Sequence, residues 1–280
     1  MKFTKMHGLG NDYIYVNGFE EHPANLPALA RSLSDRHCGI GADGLVVIAP
    51  SDIADFRMIM FNADGSQGAM CGNAARCIGK YVYDRGMTRK TAVTLETLSG
   101  VKTLLLNVQG GKVVSVRVDM GEPVLDCARV PCLLGSGVVR RAPIEALGRT
   151  FAITPVSTGN PHGVIFLEEP VEDFDLRRYG PALECHPAFP QKANIEFVNV
   201  LSRDRLRMRV WERGSGVTMA CGTGSCAALV AASLCGLADR RAHVVLDGGE
   251  LVDEWDEATG HLFMTGPATH VFDGEVDEHR

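Results

Sequence analysis

The sequence predicts an α+β fold of two pseudo-symmetric domains, each a curled β-sheet wrapped around a central helix. Three observations predict it. Short β-rich runs bounded by Gly, Asn and Asp recur along all 280 residues. Helical patterning is confined to a few segments. A strand, a glycine-containing loop, a Cys-Gly pair and a helix occur twice, at Cys71 and again 150 residues on at Cys221.

In order, the first half places strands at Phe3 to Met6, Tyr13 to Val16, Leu45 to Ile48, Phe56 to Phe61, Val93 to Leu98, Thr103 to Val108 and Val113 to Val118. The second half places them at Phe151 to Val156, Val164 to Leu167, Ile195 to Leu201, Leu206 to Trp211, His243 to Leu246 and Leu262 to Thr265. Helices are predicted over Leu26 to Arg36, Asn73 to Arg85, Leu176 to Glu184 and Thr223 to Leu237. The last of these, with Ala227 to Ala232 and Leu234, is apolar nearly all the way round, which requires burial on every side. A period of 150 residues is too long for a solenoid and points to a duplicated domain. The boundary is expected near Gly121-Glu122-Pro123, giving domains over 1–120 and 121–267, with 268–280 completing the first.

Lys plus Arg total 28 against 34 for Asp plus Glu, a net charge of −6, which argues against a nucleic-acid binder. The longest apolar stretch, Ala227 to Ala238, is broken by Ser233 and Gly236, too short for a membrane anchor. Met1 to Gly8 lacks the apolar run of a signal peptide, so a cytoplasmic location with reduced thiols is expected. Nine cysteines without a C-x-x-C pair argue against structural zinc and a thioredoxin-like motif.

A thiol at a helix N-terminus sits where unpaired N–H groups and the dipole favour an anion, so a stabilised thiolate is expected at Cys71 and Cys221. The N–H groups of Gly72, Asn73, Gly222 and Thr223 are suited to a substrate carboxylate. Two such thiols fit inversion at a carbon, one base removing a proton from one face and an acid returning one to the other. A lone Cys-Gly reads better as a buried thiol after a turn, and duplication of the whole loop reverses that preference. Gly39-Ile40-Gly41-Ala42-Asp43-Gly44 lacks the spacing of a phosphate or dinucleotide loop and reads as a plain turn. His162, in Thr158-Gly159-Asn160-Pro161-His162, reads equally as a structural histidine or as a base for a thiol. Glu212-Arg213 is either a solvated pair or a clamp, Arg213 for carboxylate and Glu212 for ammonium or thiol.

The sequence resembles the diaminopimelate epimerases, a family of cofactor-independent amino-acid epimerases, nearly from end to end. The resemblance rests on His7-Gly8-Leu9-Gly10-Asn11-Asp12, the Gly39 to Gly44 turn, Asn62-Ala63-Asp64-Gly65-Ser66, Cys71-Gly72-Asn73-Ala74-Ala75-Arg76-Cys77, Gly159-Asn160-Pro161-His162, Asn194 before Glu196-Phe197-Val198, Glu212-Arg213-Gly214, and Ala220-Cys221-Gly222-Thr223-Gly224. It implies two similar domains with the active site in the cleft between them. It implies interconversion of LL- and meso-diaminopimelate on the route to lysine and peptidoglycan, without pyridoxal phosphate, metal or nucleotide. Cys71 and Cys221 would be the acid/base pair, with His162 and Glu212 setting their protonation. Backbone N–H groups of Asn73, Gly222 and Thr223 would hold the reacting carboxylate, and Asn11, Asn62, Asn160, Asn194 and Arg213 the remaining amino and carboxyl groups. Some members carry Gln where this chain has Gly44, which bears on one peripheral contact. A homodimer stays open. Two alternatives remain: a proline or hydroxyproline racemase, which leaves Glu212, Arg213, Asn62 and Asn194 unexplained, and a thiol redox sensor with a Cys71 to Cys221 disulfide.

Overall fold

The computed structural model describes residues 1–277, and the chain divides into two compact units. One comprises Met1–Asp119 and the segment from Thr265 onward; the other is Met120–Met264. Of the expected C-terminal completion, residues 278–280 lie outside the described residues.

The first unit contains β1 (Lys2–Gly8), β2 (Asn11–Asn17), α1 (Leu26–Ser34), β3 (Gly44–Ala49), β4 (Phe56–Asn62), β5 (Gln67–Gly68), α2 (Gly72–Asp84), β6 (Ala92–Thr97), β7 (Gly100–Gln109) and β8 (Lys112–Gly121). Strands β1 and β2 pair antiparallel, β2 and β3 parallel, β3 and β4 antiparallel, β4 and β6 parallel, and β6 and β7 antiparallel. Each parallel step needs a long crossover, which α1 and α2 supply.

The second unit contains β9 (Ala142–Ala146), β10 (Arg149–Ser157), β11 (Pro161–Phe166), α3 (Leu176–Glu184), β12 (Asn194–Ser202), β13 (Arg205–Glu212), β14 (Gly216–Val217), α4 (Gly222–Leu234), β15 (Arg241–Leu246), β16 (Gly249–Trp255) and β17 (Leu262–Gly266). Its pairings repeat those of the first: β10 and β11 antiparallel, β11 and β12 parallel, β12 and β13 antiparallel, β13 and β15 parallel, β15 and β16 antiparallel. Strand β9 edges β10, and the last strand, β18 (Thr269–Glu275), edges β1 in the same manner.

Strands covered on both faces read as continuous apolar runs. Tyr13 to Val16 of β2 and Leu45 to Ile48 of β3 are buried without alternation. Ile14, Val16, Leu45 and Val47 form one core with Leu29, Ala30 and Leu33 of α1. In the second unit Ile165, Ile195 and Phe197 form the core with Leu176 and Leu183 of α3. Because side chains alternate along a strand, Glu196 and Val198 of β12 and His162 and Val164 of β11 face the other side, where α4 packs. Helix α4 is the central helix that the sequence predicts: Ser225 to Ala232 are wholly buried, against β10, β11, β12, β13, β15 and β16.

All thirteen predicted strands and four predicted helices are present. Strands β9, β16 and β18 and the two-residue β5 and β14 were not expected. In β16 the acidic Asp253 is turned inward and wholly buried, which breaks the alternation a strand normally shows. Strand β18 is mostly exposed and pairs along β1. Helix α4 stops at Leu234, three residues before the expected end, because the chain turns at Gly236 with φ +71°.

Leu229 is wholly buried in α4. Leu229→Ala should lower the unfolding free energy of the second unit by about 2–5 kcal/mol, measured by chemical denaturation.

Candidate active site

Helices α2 and α4 both begin at a cysteine. Cys71 and Cys221 occupy the N-cap positions with extended backbones, φ and ψ being −135° and 120° in one and −118° and 107° in the other. Most helices place Ser, Thr, Asp or Asn there. The Ala75 and Ser225 N–H groups donate to the Cys71 and Cys221 carbonyls, each at 2.9 Å, so the first intrahelical bond skips the residues between. The hairpins leading in are equivalent as well: Phe61 pairs with Gln67 and Trp211 with Val217, which gives Asn62 and Glu212 the same place beside their cysteine loops.

In the first unit, β1 and β2 meet in a two-residue turn, Leu9 at φ +58° and Gly10 at φ +85°, the sign that the tightest hairpins require. That turn sets Asn11 at the head of β2. The Asn11 Oδ1 lies 3.5 Å from Cys71 Sγ and accepts from Asn73 Nδ2 at 3.1 Å. Its Nδ2 donates to Asp43 Oδ2 at 2.8 Å, and Asp43 also accepts the Asp12 N–H at 3.1 Å. Arg36 joins Asp12 and Asp43 at 2.7 and 3.0 Å, and Lys5 reaches Asp12 at 2.6 Å. Burial alone would raise the Asp12 carboxyl, but hydrogen bonds from Arg36 and Lys5 outweigh it and hold Asp12 below its ordinary value. Asp43 moves the other way, raised by burial and then by the charge of Asp12. The Gly39 to Gly44 segment is an irregular loop that leads into β3 at Gly44, and through Asp43 it is also the anchor of Asn11. At Gly44 a Cβ would fall 2.1 Å from the Phe61 carbonyl oxygen, so this backbone has no room for a side chain there. Asn62 bonds locally, donating from Nδ2 to Ser66 Oγ at 3.0 Å.

In the second unit, His162 is wholly buried, with Nδ1 2.7 Å from Glu196 Oε1 and Nε2 2.9 Å from Asn160 Oδ1. Asn194, also buried, donates to the Pro161 carbonyl at 3.1 Å and accepts the Arg213 N–H at 2.9 Å. The Arg213 side chain is exposed and donates to the Gln191 carbonyl at 3.0 Å. Glu212 accepts from the Thr218 hydroxyl, and its carboxylate acts electrostatically on the Cys221 thiol. Thr223 Oγ1 lies 3.5 Å from Cys221 Sγ.

The electrostatics of Cys221 correct the expectation of a stabilised thiolate. Burial pushes this thiol well above its ordinary value, and the nearby carboxylates of Glu212 and Glu196 push it further. The Thr223 hydroxyl and the Gly224 N–H oppose this and do not prevail. Glu212 and Glu196 are themselves raised, both by burial. With two carboxyls beside it, Cys221 favours the thiol.

Of the residues singled out in the sequence, the structure gathers Cys71, Asn11 and Asn73 in one unit. In the other it gathers Cys221, Glu212 and Thr223, with His162 bonded to Asn160 and Asn194 to Arg213. Asp43, Glu196 and Thr218 were missed as site residues. Glu196 carried a legible signal, a lone acid in the apolar run Ile195 to Val198; Asp43 and Thr218 sit in turns where polar residues are ordinary. All nine cysteines are free thiols. Among the described residues no group of three or more His, Cys, Asp or Glu is placed to hold a metal ion, and no helix is long and apolar enough to cross a membrane.

Residues 3–125 and 154–271 match the sequence profile of the family described as diaminopimelate epimerase. The chain belongs to the diaminopimelate epimerase family. It is 56% identical to the diaminopimelate epimerase of Acetivibrio thermocellus, over 99% of each chain. It is 54% identical to that of Desulfovibrio desulfuricans, over 98% of each, and 53% identical to that of Methanococcus maripaludis, over 99% of this chain and 100% of the relative. Solved structures share the fold at lower identity. A phenazine biosynthesis protein of the PhzF family from Bacillus anthracis superposes with a TM-score of 0.72 at 17% identity, over 99% of this chain and 98% of that one. A hydroxyproline epimerase from Agrobacterium vitis, with bound trans-4-hydroxy-L-proline, gives 0.66 at 17% identity, over 99% and 90%.

Because neighbouring carboxylates raise Cys221, neutralising one should lower it. Glu212→Gln should move the midpoint of Cys221 alkylation by iodoacetamide toward lower pH, followed by peptide mapping across a pH series.

Proposed function

We propose that the chain interconverts LL- and meso-diaminopimelate, supplying precursors of lysine and peptidoglycan, by proton transfer between two thiols in the cytoplasm. The observation that carries the reading is the pair of cysteines at equivalent helix N-caps, in a chain that belongs to this family. Epimerisation breaks the α-C–H bond on one face and makes it on the other. One cysteine acts as thiolate and takes the proton; the other acts as thiol and gives one, so the α-carbon inverts and no proton is consumed.

The first turns of α2 and α4 hold the reacting carboxylate. The groups proposed are the N–H of Asn73 and those of Gly222 and Thr223, where the helix dipole favours an anion and stabilises charge developing as the α-proton leaves. Glu212, which interacts with Cys221, and His162 set the protonation of the thiols. The raised Cys221 and Glu212 support a resting state in which Cys221 carries its proton. Asn11, Asn62, Asn160, Asn194 and Arg213 read the amino and carboxyl groups of the substrate, including its distal centre.

Incubation of the purified protein with LL-diaminopimelate in deuterated water should place deuterium at the inverted α-carbon. Cys71→Ala and Cys221→Ala should each lower turnover by about 10²-fold or more with the fold intact by circular dichroism. Near wild-type turnover in either variant overturns the two-thiol mechanism. A site that pairs both ends of its substrate rejects analogues lacking one, so alanine and proline should turn over about 10⁴-fold or more slowly in parallel assays.

A further inference from the structure

Glu196 is a fully buried acid with no role in the reaction as proposed. It is wholly inaccessible, in a strand whose neighbours Ile195, Phe197 and Val198 are apolar. The two-residue period sends Ile195 and Phe197 into the core beside α3, and Glu196 to the face where α4 packs. Removing a carboxylate from water costs several kcal/mol unless a partner offsets it, so an acid there needs one. The partner is His162, also wholly inaccessible, whose Nδ1 lies 2.7 Å from Glu196 Oε1. Glu196 Oε2 has no hydrogen-bond partner among the described residues, so His162 is the contact that answers its charge.

Two features hold this geometry. Gly224, in the first turn of α4, packs so closely that a Cβ there would come within 2.7 Å of Glu196 Oε1 and 3.2 Å of Cys221 Sγ. Strands β11 and β12 run parallel in register, with Val164 opposite Glu196 and His162 opposite Asn194, so the two side chains lie on one face one step apart.

An ionised carboxylate offers only lone pairs, so the contact at Nδ1 requires Nδ1–H. We propose that Glu196 is a positioning residue of the proton-transfer site: it fixes the Nδ1–H form of His162 and leaves Nε2, beside Asn160, as the nitrogen that gains and loses the proton. This rests on the assignment of His162 as a base in the proposed function. The proton passes from the cysteine sulfur to Nε2 and returns, and none is taken up by Glu196. Asn160 suits both states, since its amide oxygen accepts from Nε2–H and, turned over, its N–H donates to the bare nitrogen. Glu212 and Cys221 are the other titratable groups that interact with this pair.

The test is histidine nitrogen NMR of the full chain at a fixed near-neutral pH, where the nitrogen shifts tell a protonated Nδ1 from a bare one. The His162 signal is assigned by its loss in His162→Asn. The expected result in the wild type is a protonated Nδ1. In Glu196→Gln, which puts a neutral amide in place of the carboxylate, that preference should weaken toward a mixture of Nδ1–H and Nε2–H forms. Turnover should fall about tenfold or more with KM within about twofold, as for other partners that orient a working imidazole, and Glu196→Asp should restore part of it. A wild-type His162 with a bare Nδ1 and the proton held on Nε2 overturns the proposal, as does Glu196→Gln with unchanged turnover. If Glu196→Gln does not fold, the wild-type spectrum decides alone. Nδ1–H together with no deuterium incorporation from diaminopimelate would count against the proposed function and leave the His162–Glu196 assignment standing.

Discussion

A helix buried on all sides leaves its first-turn N–H groups without intrahelical partners, and that constraint shapes both units. Side chains, water or a ligand must satisfy those groups. In α4, buried from Ser225 to Ala232, the N-terminal turn opens onto Cys221 and the end of β13; in α2 it opens onto Cys71 and the β1–β2 turn. Cysteine at the cap contributes a weak acceptor where Ser or Asp would fill the position. The helix starts therefore remain suited to an anion, with a titratable sulfur beside each.

The backbone repeat does not extend to the chemistry around the two thiols. Asn62 and Glu212 occupy equivalent hairpin positions, yet one is a neutral amide tied to Ser66 and the other an acid that raises Cys221. Cys71 faces the neutral Asn11 carbonyl oxygen, whose orientation is held by Asp43 and, behind it, Arg36, Asp12 and Lys5. Cys221 faces acids. A duplicated scaffold with unlike neighbours holds two chemically identical thiols in different electrostatic settings, as a reaction requires when it needs one acid and one base.

Cys221, Glu212 and Glu196 compete for charge in one buried region. Burial raises all three, and each carboxylate charge raises the thiol again. They cannot all be ionised at modest cost, so protons are retained among them. The imidazole of His162 is the group able to answer a negative charge there, and it lies against Glu196. The dipole argument that favours a thiolate at any helix start is worth about 0.3–1 kcal/mol at an exposed end. Desolvation together with two carboxylates exceeds that in the interior.

The pattern of strands, the four helices and the duplication were legible in the sequence, because apolar periodicity and a repeated Cys-Gly loop are local properties of the chain. So were the cysteines at the helix starts, since glycine after a strand and before an apolar run marks a helix beginning. Strands β16 and β18 were not legible, one carrying a buried acid and the other mostly exposed, so neither alternates as a half-buried strand does. Nor was the direction of the Cys221 shift, which depends on how far Glu196 on β12 and Glu212 on β13 lie from a sulfur on α4. Asp43 looked like any turn residue until the fold brought it to Asn11. Residue types and periodicity set which elements form and which groups are available to a site. Pairwise distance and exclusion of water decide the charge those groups carry, and both arise only when segments far apart in the chain pack together.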